Sequence, residues 1–135
     1  MMDSVMVQVP VTIKAKLTEK LKARMLDDLN RNMAQAEREV QQISADQERA
    51  IKEQGDTPQK QASIRRYFGQ EIGKRQNFLA EAQARKEHLE KLALGAEIIQ
   101  GTLQREVELE IGSDMREIMN VEVLVEDDKI IAIRS

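Results

Sequence analysis

The chain has no cysteine, no tryptophan, one histidine and two prolines in 135 residues, and aromatic residues make up only 2% of it. Without cysteine there is no disulfide, no thiolate nucleophile and no thiolate-bound zinc. His88 alone cannot build a histidine cluster for a metal. The aromatics are Tyr67, Phe68 and Phe78. A compact core draws much of its buried area from such rings. A chain that uses Leu, Ile, Val and seven Met instead suits an elongated molecule with a thin core. Met1-Met2-Asp3-Ser4 offers no basic leader before an apolar run, and no apolar stretch approaches the length of a membrane span. A soluble, cytoplasmic protein with no membrane partner is expected, and the length predicts one domain.

What the chain does have is two long helical patterns around one short breaker. Thr18 to Gln54 reads as one helix and Gln59 to Leu94 as another, separated by Gly55-Asp56-Thr57-Pro58. Thr18 is placed to cap the first helix, with Glu19 at the positive end of its dipole. Thr57 is placed to cap the second, with Pro58 at its first position, where a missing N–H costs nothing. From Leu26 the apolar spacing is heptad: Leu26, Leu29, Met33, Ala36, Val40, Ile43, Gln47 and Ala50. The second seam is Phe68, Ile72, Arg75, Leu79, Ala82, Lys86, Leu89 and Ala93, after which Gly95 reads as a left-handed C-cap. Two helices with so short a joint fold back as an antiparallel hairpin, pairing residues whose numbers sum to roughly 112. Gly69 and Gly73 then fall near Ile43 and Val40. Each costs a helix about 1 kcal/mol relative to alanine, which leaves either close approach of a neighbouring helix or a softened stretch as the reason for them.

The flanks change period from seven to two. Val5, Val7, Val9, Val11 and Ile13 alternate with Met6, Gln8, Pro10, Thr12 and Lys14, and Pro10 argues for an edge or a break. Ile98-Ile99, Gly101 and Leu103 follow the hairpin, and then Val107, Leu109 and Ile111 alternate with glutamates. Val121, Val123 and Val125 precede Asp127-Asp128, a two-residue hairpin turn, and Ile131 and Ile133 close the pattern. About five short strands are predicted, one before the helices and the rest after. The fold class is therefore α+β: residues 18–94 form an antiparallel helical hairpin, turning at 55–58, inserted into a small discontinuous β-domain of residues 1–17 plus 95–135. An open sheet and a barrel fit the spacing equally.

Charge is unevenly placed. Residues 1–25 hold five basic and two acidic side chains, and residues 96–135 hold four basic and ten acidic, around a neutral middle of twelve each, for a net −3. Lys14, Lys16, Lys20, Lys22 and Arg24 cluster where the first strand meets the first helix, and Arg65 and Arg66 lie nearer the tip beside Tyr67. Such groups read first as solvated faces and second as contacts for phosphate or a protein partner. Tyr67 beside two arginines could stack on a nucleobase. Asp27-Asp28 and Asp127-Asp128 read as surface and turn, since a metal needs three or more converging oxygens. His88 stands in no catalytic constellation, and Gly69-x-x-x-Gly73 lacks the strand–turn–helix setting of a phosphate loop.

Val11-Thr12-Ile13-Lys14-Ala15-Lys16-Leu17-Thr18-Glu19 followed by a long coiled coil, and then Gly112-Ser113-Asp114, Asn120-Val121-Glu122-Val123-Leu124-Val125 and Asp128-Lys129-Ile130-Ile131-Ala132-Ile133-Arg134, resemble the YlqD family. The departure is Lys129, where the family pattern has glycine in the last hairpin. The resemblance implies a bacterial, cytoplasmic setting and this architecture, and brings no catalytic residue with it.

The sequence thus points to a non-catalytic scaffold or protein-interaction module without metal or cofactor. It is expected to self-associate, a homodimer first, and to have an unidentified protein partner. The seam Leu29, Met33, Val40, Ile43, Phe68, Ile72, Leu79 and Leu89 holds the hairpin. Leu21, Met25, Ile51, Ile64, Phe78 and Leu92, outside the strict seams, are expected to face water until a second copy covers them. The alternative is an accessory factor that touches RNA or a ribonucleoprotein through Lys14, Lys16, Lys20, Lys22, Arg24, Arg65 and Arg66.

Overall fold

A computed structural model describes residues 1–135. The elements run β1 (Ser4–Lys16), α1 (Glu19–Gln54), α2 (Pro58–Lys91), β2 (Glu97–Glu110), α3 (Met115–Met119), β3 (Glu122–Glu126) and β4 (Lys129–Arg134). They divide into two compact units, residues 1–22 with 92–135, and residues 23–91. The sequence boundaries at 17 and 95 fall a few residues outside that division, which cuts α1 after its first turn.

In the helical unit, the joint between α1 and α2 is built from local chemistry. Thr57 Oγ1 accepts from the Lys60 N–H at 3.1 Å, and Pro58 opens α2. The Gln61 amide donates to the Gly55 carbonyl at 2.8 Å. Gly55 is required for space: a Cβ there would lie 2.6 Å from the Ile51 carbonyl oxygen. All eight expected seam positions of α1, Leu26 to Ala50, are buried or half-buried, Ala36 most of all. On α2 the same holds from Phe68 to Leu89, with Ala82 fully buried, while Ala93 lies beyond the helix and is exposed. Ala82, Leu89 and Ala36 are the most enclosed of the seam residues, at 0%, 4% and 5% exposure.

Gly69 and Gly73 have open space where a Cβ would stand. Close approach of another part of the chain is therefore not what requires them. Gly69→Ala with Gly73→Ala should raise the stability of the hairpin by about 1 kcal/mol per site, through helix propensity and a less flexible unfolded chain. Thermal unfolding followed by far-UV circular dichroism checks this, and a lower midpoint would contradict it.

The sheet unit holds four strands in the order β2-β1-β3-β4. The expected five become four because Ile98-Ile99 and Val107-Leu109 belong to one strand: a bulge between Ile13 and Lys14 on the β1 side takes up one extra β2 residue next to Gly101, and the ladder continues through it. Ile111 lies outside the strand. The sheet is open and mixed: β1 pairs antiparallel with β2 along its whole length and parallel with β3 over Thr12 to Ala15, while β3 and β4 form an antiparallel hairpin. Asp127 and Asp128 make its two-residue turn with positive φ angles of 45° and 69°, the conformation glycine usually supplies. Thr18 ties that turn to the start of α1. Its hydroxyl accepts from the Leu21 N–H at 3.1 Å, as a cap should, and donates to Asp127 Oδ1 at 2.7 Å.

Two further differences concern helix ends. α2 stops at Lys91, so Gly95 is not its cap. With φ of 93°, Gly95 sits in a turn closed by the Ala96 N–H on the Ala93 carbonyl, and its own N–H donates to Leu17. The one-turn helix α3 was not expected. Its signal is present but short: Asp114 accepts from the Arg116 N–H at 2.8 Å, with Glu117 three residues on, the spacing of a capping box. The core of this unit is Val9, Val11, Ala15, Leu17, Leu21 and Leu124.

Candidate functional site

Four sets of residues bear on function, and they lie in different places. On the hairpin, Arg75 occupies a seam position that heptad spacing reserves for an apolar side chain. Its Nε lies 3.2 Å from Glu39 of α1 and its Nη1 lies 2.7 Å from Glu71 of its own helix. The Arg75–Glu39 pair lies within two residues of the fold-back register read from the sequence. A hydrogen bond from Gln35, with Arg75 next, holds the Glu39 carboxyl below its ordinary value; Arg75 and then Lys74 do the same for Glu71. The pair borders a shallow groove of about 420 Å³ between Ala36 and Phe78. The cation here is a structural fastener whose charge is already matched.

The basic residues differ in how they are engaged. Lys14 is half-buried, its Nζ 2.8 Å from Glu122. Lys22 donates to the Leu92 carbonyl at 2.9 Å. Lys16 is half-buried, and Lys20 and Arg24 are exposed. Arg65 and Arg66 are exposed on α2, and Tyr67 beside them is 64% exposed, its ring meeting Phe68 edge-on at 5.2 Å. Phe68 itself is half-buried. Asp27 and Asp28 both bind Arg31, and no group of three His, Asp or Glu side chains converges.

A four-membered ion network on the sheet was not read from the sequence. Arg134 on β4 grips Glu97 on β2 with both nitrogens, at 2.8 and 3.1 Å, and reaches Glu122 on β3 at 3.1 Å; Lys14 on β1 completes it. β2 and β4 are the outer strands of the sheet, so the sheet curls to bring them within side-chain reach. Its signal in the sequence, isolated charges far apart in number, is invisible until the strand order is known. Arg134 holds the Glu97 carboxyl below its ordinary value of 4.5, and Lys14, with Arg134 second, does so for Glu122. Carboxyls with a lowered folded-state pKa stabilise the fold above the unfolded value and lose that contribution as pH falls through the folded one. Stability of the sheet unit should therefore decline below a pH of about 4.5. The double variant Glu97→Gln with Glu122→Gln should show a smaller difference between neutral and acid unfolding midpoints. An unchanged acid loss in that variant would remove the network from the explanation.

Apolar side chains left in water form the fourth set, and they belong to the sheet unit. Ile99, Leu103, Ile111, Ile130 and Ile133 are 68%, 62%, 81%, 64% and 70% exposed, and Met115 and Met119 of α3 are also exposed. The hairpin residues expected to face water do not match them. Leu21 is buried and Met25, Ile51, Ile64 and Leu92 are half-buried, which leaves Phe78 at 36%. The apolar stripe of each helix is wider than the strict heptad seam, and the chain itself covers most of it.

The family model described as YlqD protein matches residues 5–134. No curated protein matches the chain. A solved structure of a protein of unknown function from Synechococcus sp. WH 8102 is similar to it, with a TM-score of 0.87, 17% sequence identity, and coverage of 99% of this chain and 100% of that one. That likeness shows the fold.

Proposed function

The chain belongs to the YlqD family, and from that premise we propose that it is a non-catalytic cytoplasmic scaffold or protein-interaction module. The observation that carries this reading is the exposure of Ile99, Leu103, Ile111, Ile130 and Ile133 on the sheet unit. Large aliphatic side chains left in water, four of these five held on β2 and β4, mark surfaces that another protein covers. Their place also moves the expected self-association away from the hairpin and onto the sheet unit. The test is affinity capture of the full chain from native cytoplasm with and without RNase. A protein recovered equally in both arms supports the module. Recovery that disappears with RNase would replace it by the RNA-contacting reading, and a bare surface in both arms would overturn it.

Self-association has its own measurement. A homodimer should scatter light with about twice the monomer mass of 15.4 kDa at high micromolar concentration. Ile133→Lys should return that mass to the monomer value. A wild-type mass of 15.4 kDa at the same concentration would remove the homodimer from the proposal.

A further inference from the structure

We propose that the open edge of β2 accepts an extended segment of a partner protein in which basic and apolar residues alternate, adding a fifth strand to the sheet. This rests on the interaction-module reading and names its surface and the chemistry of its partner. The backbone defines the edge. The Thr12 N–H donates to the Val121 carbonyl, so even-numbered β1 residues from Ser4 to Thr12 turn their backbone groups toward the β3 side and odd-numbered ones toward β2. Val5, Val7, Val9 and Val11 therefore exchange hydrogen bonds with Leu109, Val107, Arg105 and Leu103. The β2 residues between them, Thr102, Gln104, Glu106, Glu108 and Glu110, turn N–H and C=O outward, where the strand order places nothing.

The chain treats its two long free edges differently. Along β1, the stretch before Thr12 lacks a strand on its β3 side, but Pro10 there has no N–H to offer and α3 packs on β1. Along β2 no proline interrupts the stretch from Glu97 to Glu110. Five consecutive outward-facing residues supply the hydrogen bonds that strand addition uses, and side chains set the specificity. On one face stand Glu106, Glu108 and Glu110. On the other stand Leu103, exposed, and Val107 and Leu109, half-buried. Arg105, the one base of the strand, donates to the Ile118 carbonyl at 3.2 Å.

Those charges choose the occupant. β2 carries four glutamates and one arginine, so a second β2 laid against it brings like charge to an edge already acidic, and directly opposed like charges destabilise a strand pair. A strand with Lys or Arg on one face meets Glu106, Glu108 and Glu110, and its apolar face continues that of Leu103, Val107 and Leu109.

The full chain is to be titrated with a capped peptide of about eight residues alternating Lys and Val, and with a Glu-Val control. The Lys-Val peptide should bind and the control should not, and hydrogen exchange should slow at the amides of Thr102, Gln104, Glu106 and Glu108. Gln104→Pro removes one outward N–H without touching the β1 ladder and should weaken binding about tenfold or more. Glu106→Lys with Glu108→Lys should reverse the preference toward the Glu-Val peptide, a readout that loss of folding cannot imitate. Equal binding of both peptides, protection elsewhere, protection of this edge by raised protein concentration alone, or no binding at about 1 mM peptide would overturn the proposal. A cellular partner still captured by the Gln104→Pro variant would leave the module reading intact and remove only the edge.

Discussion

Leu17→Ala should destabilise the sheet unit by about 2–5 kcal/mol, the range for a leucine emptied from a closed site. Leu17 is 1% exposed and is the largest fully buried side chain in the protein. Its surroundings cannot easily collapse onto the void. The Leu17 N–H donates to the Ala96 carbonyl at 2.7 Å and its own carbonyl accepts from the Gly95 N–H at 2.8 Å, so the backbone is held on both sides. Domains of this size are stable by only about 5–15 kcal/mol, so the loss is a large share of the total. Denaturant unfolding read by amide signals of β1 and β3 measures it. A shift under about 0.5 kcal/mol would mean that the site relaxes, as a poorly packed one does.

Ala82→Asp should be as damaging to the hairpin, by about 3–5 kcal/mol, the cost of leaving a charge buried without a partner. Ala82 has no exposed surface, and aspartate is too short to lift its carboxylate out of the seam. Val40→Asp is the instructive contrast. Val40 is half-buried, so an aspartate there can turn toward water, and the effect should be clearly smaller. Circular dichroism melts of the two variants compare them directly. Equal midpoints would show that Ala82 is no more enclosed than its neighbours in solution.

Much of the hairpin was legible because its determinants are local. Thr18 and Thr57 cap the residues three positions on, Pro58 opens α2, and Gly55 fills a turn that a Cβ would block. The heptad spacing names the inward positions within a single helix, so no knowledge of the partner helix is needed. It fails in width, not in phase: Met25, Ile51 and Ile64 are half-covered by a stripe broader than the seam. α3 was missed because one turn is too short to show a period.

The candidate surfaces were less legible, since each depends on residues brought together from distant parts of the chain. Lys14 read as a free cation within a basic patch, yet Glu122 holds it. Residues 96–135 hold ten acidic side chains, and two of them, Glu97 and Glu122, are held by Arg134 and Lys14 within the sheet. Nothing in the spacing distinguishes a guarded edge from an open one. Pro10 argues for an edge or a break from the sequence alone, but only the Thr12 hydrogen bond shows which side of β1 it leaves without an N–H.

By itself, the sequence determined that two capped helices turn back at residues 55–58 and that strands flank them, because caps, turns and apolar periods act over a few residues. It also determined the alternation of valine and leucine with glutamate along β2. Only the tertiary structure decided that Ile98 to Leu109 lie in one strand, that β1 runs parallel beside β3, and that Arg134 reaches Glu97 across the curled sheet. Strand order is a choice among pairings of similar local quality. It is settled by which apolar faces can be buried together, and that is a property of the whole unit.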